Sequence, residues 1–207
     1  MRIALLGDSH SQVLFPLMRP LIAGKGHQVV FEQSQPGWTA RKYHQTGLPG
    51  LVESQPDVAI VSLGGNNGNM SEGYGTDVRS LLQQLRQAGV SSVLWIGPLK
   101  ADATRAPSTA SRHDGTRAWL QRNAFGSGYR YLDPYPFTDL TGSRDGVHLT
   151  RDGYQRLVDV LWPSIGLWLT LRQNMILLAI MGVGAAGLLS YIGYRLYVRQ
   201  IDRKRLT

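Results

Sequence analysis

Five short apolar runs alternate with helical patterns over roughly the first 165 residues, and that alternation leaves few architectures open. The runs occupy 2–6, 27–32, 58–63, 92–96 and 129–133. The first, RIALL, meets Gly7; the third, VAIVSL, is continuous and rich in β-branched residues; the fourth stops at Gly97-Pro98. Continuous runs of this length bounded by turn residues read as strands covered on both faces. Between them, 11–23 carries Val13, Leu14, Leu17 and Leu21 at helical spacing, with Pro16 and Pro20 distorting it. The clearest helix is 76–88, which places Val78, Leu81, Leu82, Leu85 and Ala88 on one face and Gly89 just past its end. Residues 114–123 read as another helix. Thr150 is placed to cap a last one carrying Tyr154, Leu157, Val158 and Leu161. Strands alternating with helices imply an α/β fold: a parallel sheet of about five strands with helices on both faces.

In such folds ligands sit beyond the carboxyl ends of the strands, so the residues after each strand are the ones to inspect. Gly7-Asp8-Ser9-His10 follows the first, Gly37-Trp38-Thr39 the second and Gly64-Gly65-Asn66-Asn67 the third. Asp145-Gly146-Val147-His148 comes along the loop after the fifth. Each alone is commonplace; the ordered set is not. The chain has no cysteine, which excludes a disulfide framework, a thiolate zinc site and a cysteine nucleophile.

A serine hydroxyl is a poor nucleophile at neutral pH and needs an adjacent base. His148 can take the Ser9 proton and return it to a leaving alcohol. Asp145, three residues earlier, can orient the imidazole and stabilise its charged form. A tetrahedral intermediate also needs an oxyanion hole. The Ser9 N–H, the Gly37 N–H and the Asn66 amide are the candidate donors. Asp8 reads as a structural turn residue, and His10 is expected to point away from Ser9. His27, His44 and His113 stand isolated. No set of His and carboxylate residues has metal spacing, so neither a metal nor a cofactor is expected.

These residues resemble the four landmark positions of the SGNH (GDSL-type) hydrolase family: Ser9, Gly37, Asn66 and His148. The resemblance covers about residues 1–165 and implies a flavodoxin-like three-layer α/β/α sandwich. Two positions depart from the commonest pattern: Asn67 stands where an acid is usual, and His10 where a leucine often follows the serine. The second departure is shared by some members that handle acyl groups on sugars.

Beyond residue 165 the chain changes character. From Gln173 to Tyr194 there are 22 residues without a formal charge, enough for about 33 Å of helix against a hydrocarbon core of about 30 Å. Trp162 and Trp168 precede the run, and Tyr191, Tyr194 and Tyr197 close it, as interfacial rings would. Charge is divided to match. Residues 1–168 hold 16 Lys+Arg and 13 Asp+Glu, a net +3; residues 169–207 hold six Lys+Arg and one acid, a net +5. The expected organisation is a hydrolase-like domain over 1–168, a transmembrane helix over 173–194 and a basic tail over 195–207. Gly182 and Ala186 form a small-residue pair suited to self-association in lipid. The basic tail favours the cytoplasmic side, while the N-terminus carries no secretory signal, so the side of the membrane stays open. No cation-rich stretch is interleaved with aromatics, so nucleic acid is not an expected partner, the basic tail being the one segment that could touch it.

The expectation is therefore a membrane-anchored serine esterase that acts through an acyl-serine intermediate. Its substrate would be a sugar or cell-envelope O-acyl group or a lipid ester. Two alternatives accompany it: an O-acyltransferase using the same residues, and a non-catalytic membrane-bound structural protein, of virion or envelope type, that keeps the fold.

Overall fold

The structure, a computed structural model, describes the backbone of residues 1–67 and 73–204 and the side chains of 1–67, 73–124 and 126–177. Its elements in chain order are β1 (Arg2–Gly7), α1 (Ser11–Gly24), β2 (Gln28–Ser34), α2 (Ala40–Thr46), β3 (Val58–Ser62) and α3 (Gly73–Gln87). There follow β4 (Ser92–Ile96), α4 (Pro107–Ser127), β5 (Tyr129–Leu132), a single 3-10 turn at Tyr135–Phe137 and α5 (Arg151–Lys204). All strand pairings are parallel, and the sheet order is β2-β1-β3-β4-β5. That order reverses between β1 and β3, which makes the crevice beyond their carboxyl ends the topological switch point.

Period-two alternation divides the strand side chains between two layers. Ala4, Leu6, Ala59, Val61, Val93 and Trp95 face a cluster completed by Tyr43 of α2, Val78, Leu81, Leu82 and Leu85 of α3, and Leu120 of α4. Ile3, Leu5, Ile60, Leu94 and Ile96 are equally buried on the other face. There α1 buries Leu14, Phe15, Met18 and Ile22. Each such side chain contributes about 1.5–3 kcal/mol when removed from water. Trp95 also acts at the carboxyl edge of the sheet: its indole N–H donates to the Leu63 carbonyl at 2.9 Å and so ties down the start of the segment after β3.

Differences from the sequence expectation have local causes. The helix α2 was not expected, because only Ala40 and Tyr43 of its seven residues are buried and no apolar stripe marks it. Its start is set by Thr39, whose hydroxyl accepts from the Lys42 N–H at 3.1 Å. The helix α4 extends well past 114–123 at both ends: Pro107 opens it and Gly128, with a left-handed φ of 79°, closes it. Pro16 and Pro20 do not break α1. Thr150 caps α5 as expected, accepting from the Gly153 N–H at 3.1 Å.

Residues Met1–Gly166 form one compact unit and Leu167–Thr207 a second. The first is the sandwich just described; the second is helical as far as Lys204. Among the described residues no helix is long and apolar enough to cross a membrane. Most of the uncharged run 173–194, the Gly182/Ala186 pair and the basic tail 195–207 lie outside the described side chains. Residues 68–72 lie outside the described residues.

Candidate active site

Ser9 lies in the turn between β1 and α1. The turn is tight because Gly7 has no side chain: a Cβ there would fall 1.8 Å from the Ser11 hydroxyl oxygen. The Ser11 N–H bonds back to the Asp8 carbonyl at 3.1 Å, and the Asp8 carboxylate accepts the His10 N–H at 3.1 Å. Tyr43 secures the strand end from the neighbouring layer, its hydroxyl 2.7 Å from the carbonyls of both Gly7 and Gln33.

His148 comes from the loop that precedes α5. Asp145 shapes that loop, since its Oδ1 accepts the N–H groups of Val147 and His148, each at 2.8 Å. Gly146 has φ +72°, and a Cβ there would meet Asp102 at 2.9 Å, so the position tolerates only glycine without rearrangement. The folded loop places Nδ1 of His148 2.7 Å from Asp145 Oδ2 and Nε2 2.9 Å from Ser9 Oγ. A hydroxyl, an imidazole and a carboxylate are thus joined in series across 139 positions of sequence. Partial burial alone would raise the Asp145 carboxyl, but the His148 ring and the two backbone N–H groups outweigh it and hold it well below the usual carboxylate range. The side chains of His148 and Asp145 are 45% and 53% exposed, so water reaches the site.

Asn66 and Gly37 arrive from the ends of β3 and β2. The Asn66 amide nitrogen lies 3.3 Å from Asp8 Oδ2 and 3.4 Å from the Trp38 carbonyl. These long contacts bring all three loops to one place. Gly37 has φ +74° with open space where a Cβ would be; it is glycine for its left-handed backbone rather than for a crowding neighbour. The departure at Asn67 turns inward: the residue is buried, and its amide nitrogen has no partner among the described residues. No group of three or more His, Cys, Asp or Glu among the described residues could hold a metal ion.

Two expectations about histidines are corrected. His10 does not turn away from the site. Its ring lies 4.8 Å from that of His148, and its Nδ1 is 2.8 Å from the Tyr154 hydroxyl. None of His27, His44 and His113 is isolated either: His27 Nδ1 lies 3.4 Å from the N-terminal amine, His44 Nε2 lies 3.3 Å from Asp77 Oδ1, and His113 is the one that approaches the site. It is buried, with Nδ1 against the Leu99 carbonyl at 2.6 Å and Nε2 against the Gly65 carbonyl at 3.1 Å, one residue from Asn66. Neither His113 nor Tyr154 carried a sequence signal for the site, because each reaches it only through helix packing.

Asp8 and His10 are 2% and 5% exposed, and burial acts on them in opposite directions. It pushes the Asp8 carboxyl up to about 7, against the His10 N–H that favours the charged form. It pushes the His10 imidazole down to about 3, with the His148 charge adding to the effect. An unfolded Asp ionises near pH 4, so the Asp8 cost accrues as pH rises from about 4 to about 7. An unfolded His protonates near 6.5, so the His10 cost accrues as pH falls from about 6.5 to about 3. Across pH 4–6.5 the two slopes, each at most about 1.4 kcal/mol per pH unit, oppose one another. Asp8→Asn is therefore expected to gain stability relative to the parent as pH rises, and His10→Gln to gain it as pH falls. Urea unfolding of both variants at half-unit pH steps checks this; parallel curves for all three proteins would contradict it.

The GDSL-like lipase/acylhydrolase family matches residues 6–156. No curated protein matches the chain. Among solved structures, a lipase/acylhydrolase from Enterococcus faecalis is 21% identical, with 79% of this chain and 94% of that one covered and a TM-score of 0.65. An acetyl xylan esterase is 16% identical, with 80% and 100% covered and a TM-score of 0.65. The C-terminal catalytic domain of Streptococcus pneumoniae peptidoglycan O-acetyltransferase A is 18% identical, with 84% and 94% covered and a TM-score of 0.62. At these identities the structures establish a shared fold.

Proposed function

The chain belongs to the GDSL-like lipase/acylhydrolase family and is a serine hydrolase, and from that premise we propose that it cleaves acyl esters through an acyl intermediate on Ser9. The observation that carries this is the unbroken series from Ser9 Oγ through the His148 ring to Asp145, with contacts of 2.9 and 2.7 Å. In the productive tautomer Nδ1–H donates to Asp145, which leaves Nε2 to accept the Ser9 proton. Ser9 Oγ attacks the carbonyl carbon as Nε2 takes that proton. The oxyanion forms against the Ser9 and Gly37 N–H groups and the Asn66 amide. As it collapses, Nε2–H protonates the departing alcohol, and the acyl group remains on Ser9. Water, activated in turn by Nε2, then releases the acid.

An O-acyl group on a sugar or cell-envelope polymer is the leading substrate, with a lipid ester second. The fold likeness to an acetyl xylan esterase supports the first, and the likeness to a lipase/acylhydrolase supports the second. Transfer to a sugar hydroxyl instead of water is the second reading, supported by the likeness to an O-acetyltransferase domain. The exposure of His148 and Asp145 favours hydrolysis, since transfer requires water to be kept out. The uncharged run 173–194, bounded by Arg172 and by Arg195, Arg199, Arg203, Lys204 and Arg205, supports an anchor in a membrane. An anchored non-catalytic scaffold would have no reason to keep the Ser9–His148–Asp145 series.

A fluorophosphonate that forms a covalent bond only with an activated serine tests the reading. The expected result is stoichiometric labelling of the wild type on Ser9 and none of Ser9→Ala, with release of acid from a nitrophenyl ester following the same pattern. Equal ester turnover by the two proteins would overturn it.

A further inference from the structure

If Ser9 carries the acyl group, the direction of the leaving alcohol is fixed by the proton it must receive. The carbonyl oxygen points to Gly37 and Asn66, while the alcohol oxygen must lie beside Nε2 of His148. The rest of the alcohol therefore runs over the His148 loop, away from the oxyanion donors. Two hollows lie along that loop and share Leu149; His148 itself lines the first of them, and Ser9 lines neither. One, of about 320 Å³, is lined by Arg144, Asp145, His148 and Thr150 among others. The other, of about 340 Å³, is lined by Gln12, Leu149, Arg151 and Tyr154 among others.

The charges lining these hollows are not balanced. Asp145 is the one carboxylate in either lining, and its oxygens are engaged by the His148 ring and by the Val147 and His148 N–H groups. Elsewhere in the structure Arg19, Arg41, Arg105, Arg117 and Arg156 each pair with a carboxylate, while Arg2, Arg79, Arg86, Arg112, Arg122, Arg130 and Arg172 pair with none among the described residues, so what sets an unpaired arginine apart here is its place in a hollow along the His148 loop. Arg144 and Arg151 form no ion pair among the described residues, and both are exposed. Their positions are held by the backbone. Arg144 follows Ser143, whose N–H bonds the Leu140 carbonyl at 2.9 Å and whose hydroxyl accepts the Gly146 N–H at 3.0 Å. Arg151 is the first residue of α5, where the helix dipole disfavours a cation. Helix stability therefore gives no account of it. Asp152, next to it, supplies the favourable first-turn charge and lines neither hollow.

We infer that the alcohol half of the substrate bears an anionic oxygen group, a carboxylate or a phosphate, which Arg144 and Arg151 bind on either side of His148. The inference rests on the proposed role of Ser9 and adds the charge of the substrate to it. Guanidinium pairs with carboxylate or phosphate through parallel charge-assisted hydrogen bonds, so the effect falls on substrate binding and weakens with salt.

The test uses the full chain and three acetylated glycosides: a neutral glucoside, the corresponding glucuronoside and a glucoside phosphate. Acetate release is measured at low and high salt. The expected result is a kcat/KM about tenfold higher for at least one anionic substrate than for the neutral one, by analogy with other charge-assisted pairs. The gain should lie in KM and shrink as salt is raised. The ratio of anionic to neutral turnover should fall toward one in the double variant Arg144→Gln/Arg151→Gln. The better of the two anionic substrates distinguishes a carboxylate from a phosphate partner. A ratio near one in the wild type, or a preference unchanged in the double variant, overturns the inference. Ser9-dependent turnover of the neutral glucoside in that same assay would leave the esterase reading standing. Turnover that survives Ser9→Ala would remove the reading instead.

Discussion

Asp145→Asn is expected to lower kcat by about 10⁴ while leaving the protein folded, as in other triads whose acid is made an amide. The reason is the direction of a single proton. The carboxylate accepts from Nδ1 of His148 at 2.7 Å and thereby keeps the proton on Nδ1. An amide keeps Oδ1 in place for the Val147 and His148 N–H groups, both of which need an acceptor. Its NH2 then falls opposite Nδ1, where it donates. The ring must respond by carrying its proton on Nε2, and Nε2 can no longer accept from Ser9. Loop geometry survives while the base is lost. Fluorophosphonate labelling should slow in parallel with ester turnover, because both need the same proton transfer. Raising the pH restores little, since the fault is the tautomer rather than the charge of the ring. If Asp145→Asn retained more than a tenth of wild-type kcat, Asp145 would be a loop residue and not the partner of the base.

How much of this was legible beforehand follows from what each residue depends on. The strands β1, β3 and β4 are continuous apolar runs, and burial on both faces is what such runs demand, so their positions could be read directly. Asp145 and His148 are three apart, and Ser9, Gly37 and Asn66 each follow a strand. A parallel sheet sends all such residues to one edge, so the site was legible once the sheet was. The helix α2 was not, because it buries Ala40 and Tyr43 and little else. Nor was the approach of His10 to His148. A helix starting after residue 10 suggests that this ring turns away, and residues 8–10 alone offer nothing against that. Its direction is decided by Tyr154, 144 positions away, whose hydroxyl takes Nδ1. His113 is a similar case: it holds the Gly65 carbonyl from a helix whose apolar pattern is too weak to place its faces. Local chemistry was readable, and contacts made between layers were not.

Asn66→Ala should lower kcat by two to three orders of magnitude, with KM little changed, the usual consequence of removing one oxyanion donor and about 3–4 kcal/mol of transition-state stabilisation. The ground-state carbonyl asks little of this amide; the charged intermediate asks a great deal, so the loss appears in the chemical step. The resting contacts sharpen the expectation. Asn66 Nδ2 is held only at 3.3 Å from Asp8 and 3.4 Å from the Trp38 carbonyl, long distances from which a developing oxyanion can draw it. Asn66→Asp separates this role from mere loop packing. It is nearly the same size, but it brings a second carboxylate to about the 3.3 Å position beside Asp8 and presents negative charge to the oxyanion. Asp should therefore be worse than Ala near neutral pH, where Asp8, already pushed up to about 7, lets the pair share one proton, and the gap should widen as pH rises and that proton is lost. If Asp matched or outperformed Ala at every pH, Asn66 would not be an oxyanion donor.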